Sequence, residues 1–398
     1  MPAADPTDRP QETTAVITAA IDDYRERARQ RLPHFLFEYI DGGSYRQTTL
    51  ARNVSDLDSV LLRQRVLRDV SAIDLSTSLF GRRQAMPIAL APIGLAGLAA
   101  RRGECQAVRA AEQHGVPFCL STVSVCPIDE VAAAAGQPFW FQLYMARDRG
   151  FVRDLIAQAR DAACTTMLFT VDLPVPGARY RDVRSGLAAA PGWRGTTRRL
   201  GQAMRRPRWA WNVGVHGRPH ALGNVAPLLG ASSGLEDFFR WMRSNFDASV
   251  TWADLDWVRA EWPGHFVIKG LLDVADARQA ASLGVDGIVV SNHGGRQLDG
   301  APSTVSALPA IAAAVGEQLT VLVDGGVRSG LDVIRMLALG ADGVLLGRPW
   351  VYALAAAGER GVAHVLSLLA EEMRVGMALT GCATIAAIDS NVLATGQD

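Results

Sequence analysis

Short apolar segments recur along most of the chain and predict a repeated alternation of strand and helix. Eight of them are four or five residues long: Pro87–Ala91, Pro117–Ser121, Phe139–Leu143, Met167–Val171, Phe266–Gly270, Gly287–Ser291, Thr320–Asp324 and Gly343–Leu346. Alanine-rich amphipathic stretches lie between most of them, at Gly103–His114, Phe151–Ala162, Asp273–Leu283 and Gly330–Leu339. Eight such units are typical of an α/β protein built as a (β/α)8 TIM barrel. A doubly wound open sheet is the alternative, but no Gly-x-Gly-x-x-Gly follows a first strand.

An N-terminal helical extension precedes the barrel in this prediction. Ala15–Leu32 has helical apolar spacing and stops before Pro33, and Phe35–Gly43 is an aromatic-rich helical turn that two glycines close. The chain from there to about Met86 is predicted to be mixed and extended. We predict a disordered tail over residues 1–14 and a single domain over residues 15–390.

A long interval after the fourth strand breaks the alternation and predicts a βα loop at about residues 183–260. No acidic residue occurs from Val183 through Leu235. The interval is instead rich in arginine and tryptophan: Trp193, Arg194, Arg198, Arg199, Arg205, Arg206, Arg208, Trp209 and Trp211. This composition suits an anionic membrane surface, and a nucleic-acid contact, a mobile lid or a solvated basic loop are the alternatives.

Composition narrows the class of protein. The chain has 398 residues, about half of them apolar, and 40 basic residues balance 40 acidic ones, so its overall charge does not indicate nucleic-acid binding. Five cysteines, Cys105, Cys119, Cys126, Cys164 and Cys382, have no paired spacing, which argues against a zinc site or a disulfide framework. The first residues lack the apolar core of a secretory signal, so we expect a protein that is soluble or lies on a membrane face.

The predicted sixth strand ends in the sequence Ser291-Asn292-His293-Gly294-Gly295-Arg296-Gln297-Leu298-Asp299, which combines a proton acceptor with a guanidinium group. Histidine accepts protons near neutral pH, and arginine binds a carboxylate through two parallel hydrogen bonds. The glycines allow a tight turn and close approach to a ligand. Chemistry at the α-carbon of a small acid needs these groups, and a structural histidine in a capped loop is the alternative.

Other strand ends supply further polar groups at the same mouth of the barrel. Gln142 and Tyr144 lie two residues apart on one face of the third strand, and Asp172 ends the fourth, where it could orient His293 or cap the next segment. Lys269 could form a Schiff base, stabilise a negatively charged flavin, or point to solvent. The loops after the last two strands carry the parts of a phosphate site, namely Gly325, Gly326, Arg328, Gly347 and Arg348.

These motifs together resemble the FMN-dependent 2-hydroxy-acid dehydrogenases and oxidases from about Tyr24 to about Ile388. The resemblance is carried by Phe37-Glu38-Tyr39, Phe141-Gln142-Leu143-Tyr144, Thr170-Val171-Asp172, Ile268-Lys269-Gly270, the segment Ser291–Asp299, and Asp324-Gly325-Gly326-Val327-Arg328. Two further stretches, Leu120–Pro127 and Pro176–Asp182, are most similar to the bacterial quinone-linked L-lactate dehydrogenases of that family. Some oxidase members carry tryptophan where this chain has Val123.

The resemblance implies a role for each matching residue. His293, Asp172 and Tyr144 would be catalytic, and the substrate would bind to Tyr39, Tyr144, Arg179 and Arg296. FMN would contact Ala91, Pro92, Ser121, Gln142, Thr170, Lys269, Ser291, Asp324, Gly325, Gly326, Arg328, Gly347 and Arg348. No metal is expected.

The implied reaction is oxidation of an L-2-hydroxy acid, L-lactate to pyruvate in the first instance, with electrons passed to quinone of the respiratory chain. The implied setting is the cytoplasmic face of the inner membrane, where the chain would be a peripheral protein and a homo-oligomer, with a tetramer as the expected form. An oxidase that uses oxygen and releases hydrogen peroxide is the first alternative. An isomerase or inosine-monophosphate-dehydrogenase-like barrel is another, but no cysteine lies at strands five to eight. The third alternative is a non-catalytic barrel that binds a phosphate ligand or scaffolds a membrane complex.

Overall fold

Eight parallel strands form a barrel in the computed structural model, which describes residues 17–187, 193–218, 220, 222–229, 240–242 and 244–394. The strands are β3 (Ile88–Leu90), β4 (Cys119–Ser121), β5 (Trp140–Leu143), β6 (Thr166–Thr170), β7 (His265–Leu271), β8 (Gly287–Val290), β9 (Thr320–Asp324) and β10 (Gly343–Leu346). Their order is β3-β10-β9-β8-β7-β6-β5-β4, and a parallel bridge from Leu90 to Phe118 closes the ring. The predicted TIM barrel is therefore confirmed, strand by strand.

The strands present one continuous layer of small and apolar side chains to the inside of the barrel. This layer consists of Ala89, Cys119, Trp140, Leu168, Val267, Val289, Leu322 and Leu345. Since side chains alternate along a strand, the residue two positions later on each strand also faces inward, nearer the C-terminal mouth. Those residues are Ala91, Ser121, Gln142, Thr170, Lys269, Ser291, Asp324 and Gly347. All eight belong to the predicted cofactor set.

A two-stranded hairpin covers the opposite end of the barrel. Its antiparallel strands are β1 (Thr77–Leu79) and β2 (Arg82–Gln84). Phe80 at its tip packs against Trp140, with ring centroids 5.7 Å apart, and stacks on His265 at 5.3 Å. Because this end is filled with side chains, a ligand reaches the barrel axis from the C-terminal mouth.

Helices surround the barrel and fill most of the predicted positions. The longer ones are Ile21–Arg31, His34–Asp41, Thr48–Asp58, Gly103–Gln113, Ile128–Ala134, Arg149–Asp161, Tyr180–Ser185, Trp193–Met204, Asp254–Glu261, Val274–Ser282, Thr304–Val315, Gly330–Ala338 and Arg348–Thr380. The last is broken at Gly358. Among the described residues, only this helix is long and apolar enough to span a membrane, but 56% of its most apolar window is buried inside the protein.

The N-terminal region differs from its prediction in two ways. The first helix begins at Ile21, later than the apolar spacing suggested, and the predicted tail over residues 1–14 lies outside the described residues. The segment predicted as mixed and extended contains the helix Thr48–Asp58. Asp299 caps that helix from a distant part of the chain, because its carboxylate accepts hydrogen bonds from Thr49 N at 2.9 Å and Thr48 Oγ1 at 2.7 Å. A local pattern could not reveal this cap.

The described part of the long insertion after β6 contains several helices, and part of its basic and aromatic set contacts the protein itself. Arg206 donates to the carbonyl of Leu32 at 3.0 Å, Arg199 donates to that of Gly186 at 3.1 Å, and Trp209 Nε1 donates to that of Leu98 at 2.7 Å. Trp211, by contrast, is 65% exposed. The side chains of Trp193 and Arg194 lie outside the described ones.

Candidate active site

A cavity of about 1190 Å³, counting its open mouth, lies at the C-terminal end of the barrel. Most of the predicted site residues line it: Tyr39, Ala91, Pro92, Tyr144, Thr170, Arg179, Lys269, His293, Arg296, Asp324, Gly325, Gly326, Arg328, Gly347 and Arg348. Asp172, Ser121, Gln142 and Ser291 lie one layer behind, each in contact with a lining or neighbouring site residue. The structure therefore brings the whole predicted set together.

His293 and Asp172 form a hydrogen-bonded pair at the edge of the cavity. His293 Nδ1 lies 2.9 Å from Asp172 Oδ1, so Nδ1 carries the proton and Nε2 is left as an acceptor. The backbone of His293 is left-handed, with φ of 58°, and Gly294 and Gly295 follow at 61° and 72°. A non-glycine residue in this conformation is strained, which is tolerated where the surroundings fix it. Ser291 Oγ helps to fix it by accepting from His293 N at 3.0 Å.

Burial and the neighbouring charges keep this pair in the form of a neutral base beside a carboxylate. Burial lowers the pKa of His293, and Asp172 reverses only part of that shift, so the pKa stays below its ordinary value. Burial pushes the pKa of Asp172 upward, but His293 and Lys269 outweigh it and leave that pKa below its ordinary value. A neutral imidazole at neutral pH is the form that accepts a proton.

Two arginines and two tyrosines line the same cavity as His293. The guanidinium carbon of Arg296 lies 4.9 Å from the ring centre of Tyr39, and that of Arg179 lies 5.9 Å from the same ring. Burial, helped by the nearby Arg179, lowers the pKa of Arg296 to about 10. Burial raises the pKa of Tyr144 well above its ordinary value, so its hydroxyl stays protonated. Paired cations with so little access to water are suited to an anionic ligand.

Lys269 lies on the barrel axis with a complete set of partners. Its Nζ donates to Ser291 Oγ at 2.6 Å and lies 2.9 Å from Asp324 Oδ2. Burial lowers the pKa of Lys269, but Asp324 and Asp172 outweigh that effect, and the pKa ends above its ordinary value. The side chain is only 5% exposed and charged, so the prediction of a lysine pointing to solvent is excluded.

The far end of the cavity is lined by the backbone of Gly325 and Gly326, which we call the glycine cradle, and by two arginines, Arg328 and Arg348. Gly325 and Gly326 have φ of 100° and 85°, and a Cβ on Gly326 would lie 2.0 Å from the carbonyl oxygen of Asn53. Arg328 Nη1 donates to Val327 O at 2.7 Å, which folds its side chain back along the loop. Arg348 donates to the carbonyls of three residues, Ile40, Gly42 and Gly294. Burial lowers the pKa of Arg348 to about 9, because the loss of hydration outweighs the opposing effect of Tyr352 and Asp41.

Several polar atoms in the inward-facing layer have no hydrogen-bond partner among the described residues. Gln142 Nε2, Thr170 Oγ1 and Asp324 Oδ1 are buried and make no hydrogen bond. Buried polar groups are normally satisfied, so these atoms indicate a ligand with its own donors and acceptors. The ring edge of FMN offers both, and its phosphate is an anion for the cradle beside Arg328. The residues present therefore fit FMN.

Some lining residues were not anticipated as part of the site. Val123, Leu173 and Met242 contribute apolar surface beside Tyr144 and Arg179. Met242 lies deep in the insertion, about seventy residues after β6, and no local pattern marks it. Val123 does have a signal in the sequence, because some oxidases of the resembling family carry tryptophan at this position.

Comparisons with known proteins show which family and which relatives this chain resembles. A model of the family described as FMN-dependent dehydrogenase matches residues 28–395. An L-lactate dehydrogenase of Caulobacter vibrioides (strain NA1000 / CB15N) is 63% identical over 379 residues, covering 95% of this chain and 98% of that protein. One from Stenotrophomonas maltophilia (strain R551-3) is 60% identical over 378 residues, covering 95% and 99%.

Solved structures give the same architecture. The monotopic membrane protein (S)-mandelate dehydrogenase superimposes with a TM-score of 0.88 at 35% identity, covering 94% of this chain and 99% of that one. A mandelate oxidase superimposes with a TM-score of 0.79 at 39% identity, covering 93% and 96%.

Proposed function

Because the chain belongs to the family of FMN-dependent dehydrogenases, we propose that it oxidises L-lactate to pyruvate and passes the electrons to a membrane quinone. Oxidation of a 2-hydroxy acid is the broader statement that the related L-lactate dehydrogenases support. The observation that carries the proposal is the His293–Asp172 pair, because His293 shares with Arg179 and Arg296 a cavity whose ionisable lining is mostly cationic. That arrangement offers a base for the substrate and two anchors for its carboxylate.

In this mechanism Arg179 and Arg296 bind the substrate carboxylate, and the hydroxyls of Tyr39 and Tyr144 contact its oxygens. The charge-assisted hydrogen bonds from the arginines fix the α-carbon relative to the barrel axis. His293 Nε2 then accepts a proton from the substrate, and Asp172 stabilises the imidazolium that forms, at a distance of 2.9 Å from Nδ1. FMN, when bound, supplies the acceptor for the two electrons.

The cofactor is held, in this proposal, by the inward-facing layer and the glycine cradle. Gln142 and Thr170 provide the unpaired groups for the polar edge of the ring. Lys269 keeps a positive charge on the barrel axis, where negative charge would accumulate. Gly325, Gly326 and Arg328 receive the phosphate.

The test uses the purified yellow protein and has two parts. Without air, L-lactate should bleach the flavin absorbance, whereas D-lactate should not. In air, a soluble quinone should be reduced with little oxygen uptake at an oxygen electrode. A preparation that contains no FMN and cannot be reconstituted with it would contradict the family chemistry.

An oxidase that releases hydrogen peroxide is the second candidate. The similarity to a mandelate oxidase at 39% identity favours this candidate. Preferential oxidation of a larger 2-hydroxy acid, such as mandelate, would also favour it. Stoichiometric oxygen uptake with L-lactate or mandelate, and slow quinone reduction, would select this alternative.

We propose that the enzyme associates peripherally with the cytoplasmic face of the membrane through the insertion. The similarity to a monotopic membrane protein supports this, as do four exposed apolar side chains near the insertion's helix Trp193–Met204. They are Leu200, Met204, Trp211 and Val215, which are 58%, 65%, 65% and 51% exposed. Arg198, Arg205 and Arg208 are exposed beside them, so the surface combines apolar anchors with positive charge.

We expect the triple variant Leu200→Ser/Met204→Ser/Trp211→Ser to lose most of its binding to vesicles that contain anionic lipid. Burying three apolar side chains supplies several kcal/mol, roughly 1.5–3 for each, so binding should fall by at least about 100-fold. Vesicle sedimentation at low and high salt measures this. The matched control is Val66→Ser/Leu67→Ser/Val375→Ser, which removes exposed apolar side chains elsewhere and should bind normally. Equal loss in both variants would contradict a role for this surface.

The oligomeric state remains a prediction from the family resemblance. We propose a symmetric homo-oligomer, with a tetramer as the first expectation. Light scattering of the FMN-loaded protein measures the mass directly.

A further inference from the structure

The fold brings together two cysteines that are far apart in the sequence. Cys105 lies in the first turn of the helix Gly103–Gln113, and Cys126 lies in the loop after β4. Their Sγ atoms and a carboxylate oxygen of Glu130 all lie within 4.8 Å of one another. The sequence spacing argues against a zinc site or a disulfide framework, so this proximity is a consequence of the tertiary fold alone.

The two thiols differ in their access to solvent. A surface cavity reaches Cys105 and is lined by Arg101, Arg102 and Arg109. Cys126 is fully buried and lies behind it. The hydrogen bond between the two thiols lowers the pKa of Cys105, and nearby Arg102 and Arg109 act in the same direction. Cys105 is therefore the thiol that a small reagent meets first, and Cys126 is placed to react second.

A metal ion is the other ligand that such a group could hold. Glu130 would have to be the third ligand, but Arg102 pairs with both of its carboxylate oxygens through Nε and Nη2. Cys105 Sγ also lies 3.6 Å from Glu130 Oε1. A guanidinium group in this position opposes a cation, so the cluster favours thiol chemistry over metal binding.

We propose that Cys105 and Cys126 form a redox-modification site, in which a peroxide converts the two thiols to a reversible disulfide. The thiolate of Cys105 attacks one oxygen of the peroxide, giving a sulfenic acid and releasing hydroxide or the alkoxide. The thiol of Cys126 then attacks that sulfur, the S–S bond forms, and water leaves with the thiol proton. With hydrogen peroxide, two thiols and one peroxide give one disulfide and two waters.

The position of the pair links it to the wall of the active site. The loop that carries Cys126 also carries Val123, which lines the active-site cavity. Glu104, next to Cys105 in the helix, accepts a hydrogen bond from Val125 N in the same loop at 2.9 Å. A disulfide would add a covalent tie where helix and loop already meet, and a thiol reductant would remove it.

The test treats the FMN-loaded protein with a small excess of hydrogen peroxide and then counts thiols after denaturation. We expect the count to fall from five to three, with a single Cys105–Cys126 cross-link in peptide mass spectra, and to return to five with dithiothreitol. Cys105→Ser and Cys126→Ser should each abolish the cross-link. Cys164→Ser is the matched control, since Cys164 is 8% exposed and lies beside a cavity lined by His265, and it should leave the cross-link intact.

Three results would overturn the proposal. One is oxidation of Cys105 alone to sulfinic acid without a cross-link. Another is prior oxidation of Cys119, Cys164 or Cys382 while Cys105 and Cys126 stay reduced. The third is a bound zinc ion, near one per chain by elemental analysis, that the Cys105→Ser variant loses.

Discussion

Replacing His293 with alanine should reduce turnover of L-lactate by about 1000-fold or more and leave FMN bound. A positioned general base typically contributes 10²–10⁴-fold, and His293 Nε2 has no equivalent in the cavity among the described residues. The visible absorbance of the purified variant reports FMN, and stopped-flow bleaching with L-lactate reports the chemical step. A variant that keeps most of its rate would mean that another group accepts the proton.

A matched control is present in the same barrel. His265 also pairs with a carboxylate, with its Nδ1 3.2 Å from Asp286 Oδ1, but it lies at the opposite end beside Phe80. His265→Gln should therefore leave turnover within about twofold of the parent, since it lies far from the site. A comparable loss in both variants would point to stability rather than to catalysis.

The pH dependence of activity should also show that neutral His293 is the base. The neutral form of His293 is the active one, so activity falls as the pH drops through its pKa, and burial places that pKa below the ordinary value. Asp172→Asn removes the carboxylate that raises this pKa, so the acid limb should move to lower pH while kcat decreases.

Replacing Lys269 with methionine should destabilise the protein and weaken FMN binding together. Lys269 is 5% exposed and paired with Asp324, and breaking a buried pair by removing one partner costs about 3–5 kcal/mol. Urea unfolding of the FMN-free protein measures the stability, and fluorescence titration with FMN measures the affinity. No change in the free energy of unfolding would mean that the pair is solvated and unimportant for folding.

The double variant Lys269→Met/Asp324→Asn separates the two effects. Neutralising the stranded carboxylate should recover most of the stability, because the buried charge without a partner is then gone. Turnover should not recover, since the positive charge on the barrel axis is still missing. Recovery of both properties would argue that Lys269 has only a structural role.

The sequence predicted the barrel and most of the site because both depend on local periodicity. Eight apolar segments specify eight strands, and the alternation of side chains places the residue two positions after the inner layer at the mouth. Lys269 and Asp324 belong to this layer, and His293 follows it in the polar sequence after the sixth apolar segment. Their polarity at the end of an apolar strand is a local signal, and the parallel arrangement brings all strand ends to one rim.

The helix Thr48–Asp58 shows where this reasoning fails. Its cap is Asp299, which comes from the loop after β8, so the stabilising contact spans about 250 residues. The insertion gives a second case. Arg206 and Trp209 have the composition of a membrane surface, but they bond to the carbonyls of Leu32 and Leu98.

By itself, the sequence determined where the eight strands lie along the chain, which of their residues face inward, and which polar groups lie at the C-terminal mouth of the barrel. The tertiary structure alone decided that Met242 lines the cavity, that Trp211 is exposed while Trp209 is not, and that Cys105 meets Cys126. The physical reason is the range of the interactions. Strand alternation is fixed by neighbouring residues, whereas these contacts exist only after the barrel has closed and the insertion has folded onto it.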